Sequence, residues 1–317
     1  MKISVICPTR KRKDVLCRGI DSLIKSLSAD ANIEFLFRFD EDDISTLEGV
    51  MKYYETVETD STSITNKFKW GESTFKVSET MSKKHNVSMK FLIGHRHRYH
   101  YLNRYLDELI YVSNGEYIVN WTDDLELMVN KKYEGWNLLI EEGEDQHYIF
   151  YFRHNAHQKG HKLINGVLTP IGNPLYPVVF PRKLFEINGR LCPNVLDDQW
   201  WGELCKMLNR NVRVILSWGV KHHCQYENFS EIGSIGWAHQ MDSTCKEGRL
   251  IWDRNRETGL DDYEYYSYEE MVKIKKYMKK HPNKYLTSQH HDTSFSGLPF
   301  EPGEASGRWG PFGIRKD

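Results

Sequence analysis

Residues 115–127, GEYIVNWTDDLEL, decide the fold. Tyr117, Ile118, Val119 and Trp121 make a short run with little polar alternation, which predicts a strand buried on both faces. The run stops at Thr122, Asp123 and Asp124, an acidic turn directly after the strand. Two more elements of the same kind lie upstream. Ile3, Val5 and Ile6 predict a buried strand over residues 3–7, ended by Pro8. Ile33 to Phe39 predicts another, running into Asp40, Glu41, Asp42 and Asp43. Between them Asp14 reads as the N-cap of a helix whose Leu16, Ile20, Leu23, Ile24 and Leu27 share one face. Strand, helix, strand implies a right-handed crossover and a parallel sheet. In such sheets ligands bind beyond the carboxyl ends of the strands. Thr9 and Arg10, the acids from Asp40 to Asp43, and Asp123 with Asp124 all stand at such ends.

The rest of the chain reads less clearly. Residues 60–90 are polar, with a strand or two around Phe75 to Val77. Leu102, Tyr105, Leu106, Leu109 and Ile110 predict a helix over 100–113. A helix is expected at about 131–142 and strands at 147–152 and 212–217. Gly160 to Pro181 reads as a loop over a cleft. From about residue 245 the pattern turns helical and charged, and from about 293 it is rich in Gly, Pro and Phe without periodicity.

The 317 residues suit one large domain, or one domain with an extension. A net charge of −1 excludes a chain that acts as a polycation overall, though local clusters remain. The six cysteines, at 7, 17, 192, 205, 224 and 245, form no CxxC pair. They read as reduced thiols, and with no run near the roughly 18 apolar residues of a membrane helix the expectation is a soluble cytoplasmic protein.

A phosphorylated donor needs its charge neutralised before its sugar can leave. A divalent cation held by hard oxygen ligands supplies that. One or two carboxylates on a turn after a central strand hold such an ion, and Asp123 with Asp124 offers the arrangement. Read alone, the same pair is also an ordinary acidic turn.

The ordered set Ser4-Val5-Ile6-Cys7-Pro8-Thr9-Arg10, then Asp40 to Asp43, then Gly115 to Val119 leading to Asp123-Asp124, resembles the family 2 glycosyltransferases. The resemblance covers residues 2–130 and, more loosely, 175–225. It implies an α/β fold of the GT-A (Rossmann-like) type, a mixed, mainly parallel central sheet flanked by helices, with a helical C-terminal extension. It implies a catalytic domain over 1–244, with a nucleotide-sugar half at about 1–130 and an acceptor half at about 131–244. The charged extension and Gly/Pro-rich tail then occupy 245–317. The first aspartate of the family's DxD metal motif falls on Thr122, which leaves Asp124, helped by Asp123, as the implied ligand of Mn²⁺ or Mg²⁺. Pro8, Thr9, Arg10 and Asp40, with Asp42 as a second candidate, are placed by the resemblance around the nucleotide base and ribose. A carboxylate there accepts a ring N–H.

The resemblance also implies a general base at Asp198, with Asp197 as its orienter or as the second choice of base, and sugar transfer with inversion. A metal-binding histidine is implied at His222 or His223, with His222 the better match. Trp200 and Trp201 are candidates for an acceptor platform or for core packing. Asp242 resembles a further element of some relatives and takes no role. Within Gly94 to His100, Arg96 or Arg98 is placed near the donor diphosphate, as a charge-assisted partner. Lys273 to Lys284 is a basic helical face, either solvated or set against an anionic partner.

These readings point to a nucleotide-sugar donor, with a UDP-sugar first, and to an acceptor that is a glycan or a modified DNA base, or a protein. A nucleotidyltransferase is the other enzyme class; it would carry a Gly-rich phosphate loop near the first strand, and the sequence has none. A catalytically degenerate binding module is the non-enzyme alternative.

Overall fold

Strand β1, Ile3–Pro8, runs between two parallel neighbours. On one side is β2, Ile33–Asp40, in register from Ile3 opposite Ile33 to Pro8 opposite Arg38. On the other is β6, Tyr117–Asn120, with Val5 opposite Val119. Successive residues of these strands serve opposite faces of the sheet. Val5, Phe35, Phe37 and Val119 enter one core cluster, while Ile6, Leu36 and Ile118 enter the other. A strand buried on both faces carries apolar residues on both, which is why the runs at 3–7, 33–39 and 117–121 lack a regular apolar–polar alternation; Ser4, Glu34, Arg38 and Asn120 are their buried polar exceptions.

The computed structural model describes residues 1–28, 31–97, 102–129, 134–143, 149–154, 161–164, 167–170, 177–191, 201, 204, 212–222, 270 and 272–278. Helices cover both faces of the sheet. The first cluster packs α1 (Lys13–Ser26), α2 (Ile44–Tyr53) and α4 (Glu134–Gly143) through Leu16, Ile20, Val50, Trp136 and Leu139. The second packs α3 (Leu102–Val112) and α5 (Lys183–Asn188) through Leu106, Leu109, Ile110 and Leu184. Ile274 and Met278 join that second cluster, so the helical stretch 272–278 lays one face on the core. α5 ends at Gly189, whose φ of 68° is the left-handed conformation that glycine tolerates best.

Ten strands form one sheet in the order β3-β4-β5-β2-β1-β6-β11-β8-β12-β7. The strands not yet placed are β3 (Thr56–Phe68), β4 (Gly71–Ser82), β5 (Val87–Gly94), β7 (Leu125–Val129), β8 (Ile149–His154), β11 (Val178–Pro181) and β12 (Val212–His222). The centre, β5-β2-β1-β6, is parallel. Beyond it β11 runs antiparallel to both β6 and β8, β12 is parallel to β8, and β7 is antiparallel to β12. The expected mixed sheet with a parallel centre and helices on its faces is the one observed.

Three expectations need correction. Asp14 does not cap α1. It is the second helical residue, paired with Lys13 at 2.8 Å, and Arg12 occupies the cap position with no side-chain cap bond. The start of α1 is instead fixed by Lys11, which turns at φ 55° and donates its backbone N–H to Asp43 Oδ2 at 2.8 Å. The polar stretch 60–90 holds the expected strand at Phe75 to Val77, within β4, but the expectation was incomplete: β4 pairs with β3 in a long antiparallel hairpin whose outer strand β3 is mostly exposed, and β5 begins at Val87. An edge strand facing water has no need of apolar residues, and so the region carried little strand signal. Gly160 to Pro181 is not simply a loop. It contains a small antiparallel hairpin of β9 (His161–Ile164) and β10 (Val167–Pro170), and then β11, a buried strand inside the main sheet. The four residues of β11, Val178–Pro181, are too few to display a period.

Candidate active site

The carboxyl ends of β2, β1 and β6 lie side by side, and the segment leaving β1 links them. Three of its four residues, Thr9, Arg10 and Arg12, divide their side chains between the two neighbours. Arg10 turns to the β2 side. Its Nη1 donates to Asp40 Oδ2 at 2.7 Å and Asp42 Oδ1 at 2.5 Å, and its Nη2 to Asp42 Oδ2 at 2.8 Å. Thr9 and Arg12 turn to the β6 side. Thr9 Oγ1 donates to Asp123 Oδ2 at 2.8 Å, and Arg12 Nη1 reaches Asp123 Oδ1 at 3.0 Å and Asp124 Oδ2 at 3.3 Å. The last oxygen of the pair, Asp124 Oδ1, accepts from Thr122 Oγ1 at 2.9 Å.

Burial and these partners set the protonation of the site. Burial raises the pKa of Asp123, against the Arg12 guanidinium, with the adjacent Asp124 charge adding to the rise. Burial likewise lifts Cys7 well above the ordinary thiol value, helped by Asp123 and Asp124. Cys7 therefore stays a thiol, which removes it as a nucleophile. The fork from Arg10 holds Asp42 below the ordinary carboxylate value, and Asp42 in turn raises Arg10.

Asp40 is held from both sides. Opposite the Arg10 contact, Tyr105 Oη donates to Asp40 Oδ1 at 2.8 Å. The same hydroxyl accepts from the backbone N–H of His97 at 2.8 Å. Behind them lies a buried ion network. Arg38 Nε donates to Glu108 Oε2 at 2.6 Å, while Glu108 Oε1 takes Ser73 Oγ at 2.6 Å and meets His97 Nε2 at 2.6 Å. Arg38 also donates to the Phe39 carbonyl, and its Nη2 to the His95 carbonyl at 2.8 Å. Burial pushes Glu108 up, but the His97 bond and the Arg38 charge outweigh it, and its pKa falls below the ordinary value. The ionised network ties the segment His95–His97 to α3 and to the β4 strand. Arg96, beside it, has its Nε 3.9 Å from Asp40 Oδ2.

The expected residues are therefore partly assembled. Thr9, Arg10, Asp40, Asp42, Arg96, Asp123 and Asp124 meet along one sheet end, and Pro8 closes β1 just before them, opposite Arg38. Asp43 belongs to the scaffold: Thr46 Oγ1 and the Lys11 N–H occupy its two oxygens. His222 is the last residue of β12 and stands in register with Leu125, the residue after Asp124. Its backbone is thus beside the acidic turn. Asp197, Asp198, Trp200, His223, Asp242 and Arg98 lie outside the described residues. Trp201 is buried in the second core cluster, 4.9 Å from the Phe180 ring, so it packs the core. α1 passes close behind the acidic turn. A Cβ on Gly19 would collide with the Leu125 carbonyl, so only glycine allows that approach.

Two participants were missed by sequence reasoning. Arg12, inside the cationic run Arg10 to Lys13, was given no role. Tyr105 was read as part of the apolar face of α3. A signal for Arg12 did exist: four consecutive cations, Arg10 to Lys13, follow one strand end, and acidic residues follow both neighbouring ends.

Asp123 and Asp124 offer the hard oxygen donors that Mg²⁺ or Mn²⁺ requires. Their side chains are 11% and 12% exposed, so the pair is reachable from solvent. Each of the four oxygens already accepts a protein hydrogen bond, two of them from Arg12. Among the described residues no three His, Cys, Asp or Glu side chains are grouped to hold a metal. The pair suits a divalent ion chemically, and the ion would take oxygens that Arg12 now holds.

No protein family and no curated protein matches the chain. Similar solved structures include S. aureus TarS 1–349 in complex with UDP, at 14% identity and TM-score 0.43 over 69% of this chain and 60% of that one. The same TarS fragment in complex with UDP-GlcNAc matches at 12% identity and TM-score 0.44 over 76% of this chain and 67% of that one. The mannosyltransferase PcManGT from Pyrobaculum calidifontis, in complex with GDP-Man and Mn²⁺, matches at 11% identity and TM-score 0.46 over 72% of this chain and 58% of that one. The chain thus spans less than two thirds of the UDP-bound TarS fragment and of the mannosyltransferase. No helix among the described residues is long and apolar enough to cross a membrane.

Proposed function

We propose that the chain is a glycosyltransferase that takes a sugar from a nucleotide-sugar donor bound across the carboxyl ends of β2, β1 and β6. The observation that carries this reading is the division of the Thr9–Arg12 segment. Arg10 with Asp40 and Asp42 makes one charged clasp, and Arg12 with Asp123 and Asp124 makes a second, on adjacent strand ends. A nucleoside diphosphate has two chemically different ends to hold, and each clasp suits one.

At the β2 clasp a buried carboxylate, Asp40, accepts a ring N–H of the base, and Thr9 and Arg10 border the ribose. At the β6 clasp the diphosphate lies near Arg12 and Arg96, which offer charge-assisted hydrogen bonds. Asp124 and Asp123, with His222, would hold Mn²⁺ or Mg²⁺. When bound, that ion neutralises the charge that develops on the departing diphosphate. Asp198, oriented by Asp197, takes the proton of the acceptor hydroxyl as the new bond forms, with inversion at the sugar. Residues 1–244 carry these groups as the catalytic domain, and 245–317 extend it. The acceptor is a glycan or, alternatively, a modified DNA base.

A thermal-shift panel of UDP-, GDP- and dTDP-sugars, with and without Mn²⁺, tests the donor half of this reading. One nucleotide class is expected to raise the midpoint above the others, more so with the ion. No shift with any of them would contradict the proposal.

A further inference from the structure

Arg10 and Arg12 are held in different ways. Arg10 grips Asp42 with a two-nitrogen fork, at 2.5 Å and 2.8 Å. Such a planar, bidentate contact fixes the guanidinium in orientation as well as position. Arg12 places its Nη1 between two carboxylates, 3.0 Å from Asp123 Oδ1 and 3.3 Å from Asp124 Oδ2. These two bonds are longer than those of the Arg10 fork, and one nitrogen is shared by two acids. The acids themselves are fixed from elsewhere, by Thr9 Oγ1 and Thr122 Oγ1 on their other oxygens.

We propose that Arg12 is a tethered counter-cation of the Asp123–Asp124 pair and competes with a divalent cation for it. The inference rests on the proposed function only in expecting a divalent cation at this pair. Two adjacent, largely buried carboxylates need a positive neighbour. In the protein alone the guanidinium meets that need. A hard cation that binds the same oxygens must first displace it, so part of its binding free energy is spent on the displacement. The ion's measured affinity is then weaker than the acid pair would give by itself. The tether also protects the site: the acids keep their arrangement and charge balance when no ion is bound.

Mn²⁺ binding to the full-length chain tests this, followed through loss of the free-ion electron paramagnetic resonance signal at mildly alkaline pH. Binding at the site is counted as the part lost in Asp124→Asn. Arg12→Met is expected to bind Mn²⁺ about tenfold tighter than wild type or more, because one positive neighbour of two poorly solvated charges has gone. Arg12→Lys, which keeps a point charge, is expected to stay near wild type. Arg12→Gln repeats the comparison with a polar neutral side chain should the methionine variant fail to fold. Equal or weaker binding in a folded neutral variant overturns the inference alone. No Asp124-dependent binding in any of the proteins overturns it together with the metal part of the proposed function.

Discussion

Thr9 Oγ1 donates a 2.8 Å hydrogen bond to Asp123 Oδ2, fastening the end of β1 to the end of β6 across 114 residues of sequence. With Arg12 on the other oxygen, Asp123 is oriented before any ligand arrives. An acid that must meet a ligand in one geometry gains from such fixing by neighbours.

Thr9→Val keeps the side-chain shape and deletes the donor. A buried carboxylate oxygen then loses a partner, at an expected cost of about 1–3 kcal/mol. Urea unfolding of wild type and variant measures it directly. Nucleotide affinity is expected to fall in the same variant, because Asp123 is freed to rotate.

Asp107 gives a pH signature. It accepts from Trp70 Nε1 at 3.0 Å and the Leu191 N–H at 2.9 Å. Burial, its largest influence, still lifts its pKa from the ordinary 3.8 to about 8. The folded protein therefore holds this proton where the unfolded chain has released it, so stability falls as pH rises from about 4 to about 8. Asp107→Asn removes the ionisation. Its stability relative to wild type is expected to be lowest at acid pH and to climb across that window, in denaturant titrations at several pH values. A constant difference would mean that Asp107 does not titrate there.

The centre of the fold was legible because β1, β2 and β6 are buried on both faces and are therefore mostly apolar, with Ser4, Glu34, Arg38 and Asn120 as isolated polar residues. The β3–β4 hairpin was not, since its outer strand is wet and its Thr, Ser and Asn residues resemble a loop. The site divides in the same way. Strand ends announce themselves, and so Thr9, Arg10, Asp40 and Asp124 were found in place. Which side chain faces which neighbour depends on the path between β1 and α1. Local patterning holds no record of Lys11 turning at φ 55° and sending Arg10 and Arg12 to opposite sides. Tyr105 was hidden for a related reason: its ring packs in the interior as its spacing predicts, while its hydroxyl alone reaches Asp40.

Tyr105→Phe separates those two roles. The ring and its packing remain, and the hydroxyl bonds to Asp40 and His97 go. Nucleotide binding is expected to weaken by about five- to tenfold, the worth of one hydrogen bond of about 1 kcal/mol or slightly more. Calorimetric titration of the best-binding nucleotide reads this. Unchanged affinity would remove Tyr105, and with it the fixed Asp40, from the account of base recognition.

In the proposed reaction, sugar leaves a nucleotide donor at the Asp123–Asp124 end of the sheet. Nucleoside diphosphate release from UDP-, GDP- and dTDP-sugars, compared between wild type and Asp124→Asn with Mn²⁺ present, measures this most directly. Release is expected from one donor class by wild type, with a rate at least about 100-fold lower in the variant, the scale of losing one group that stabilises developing charge. No release from any donor, or equal release by both proteins, would contradict it.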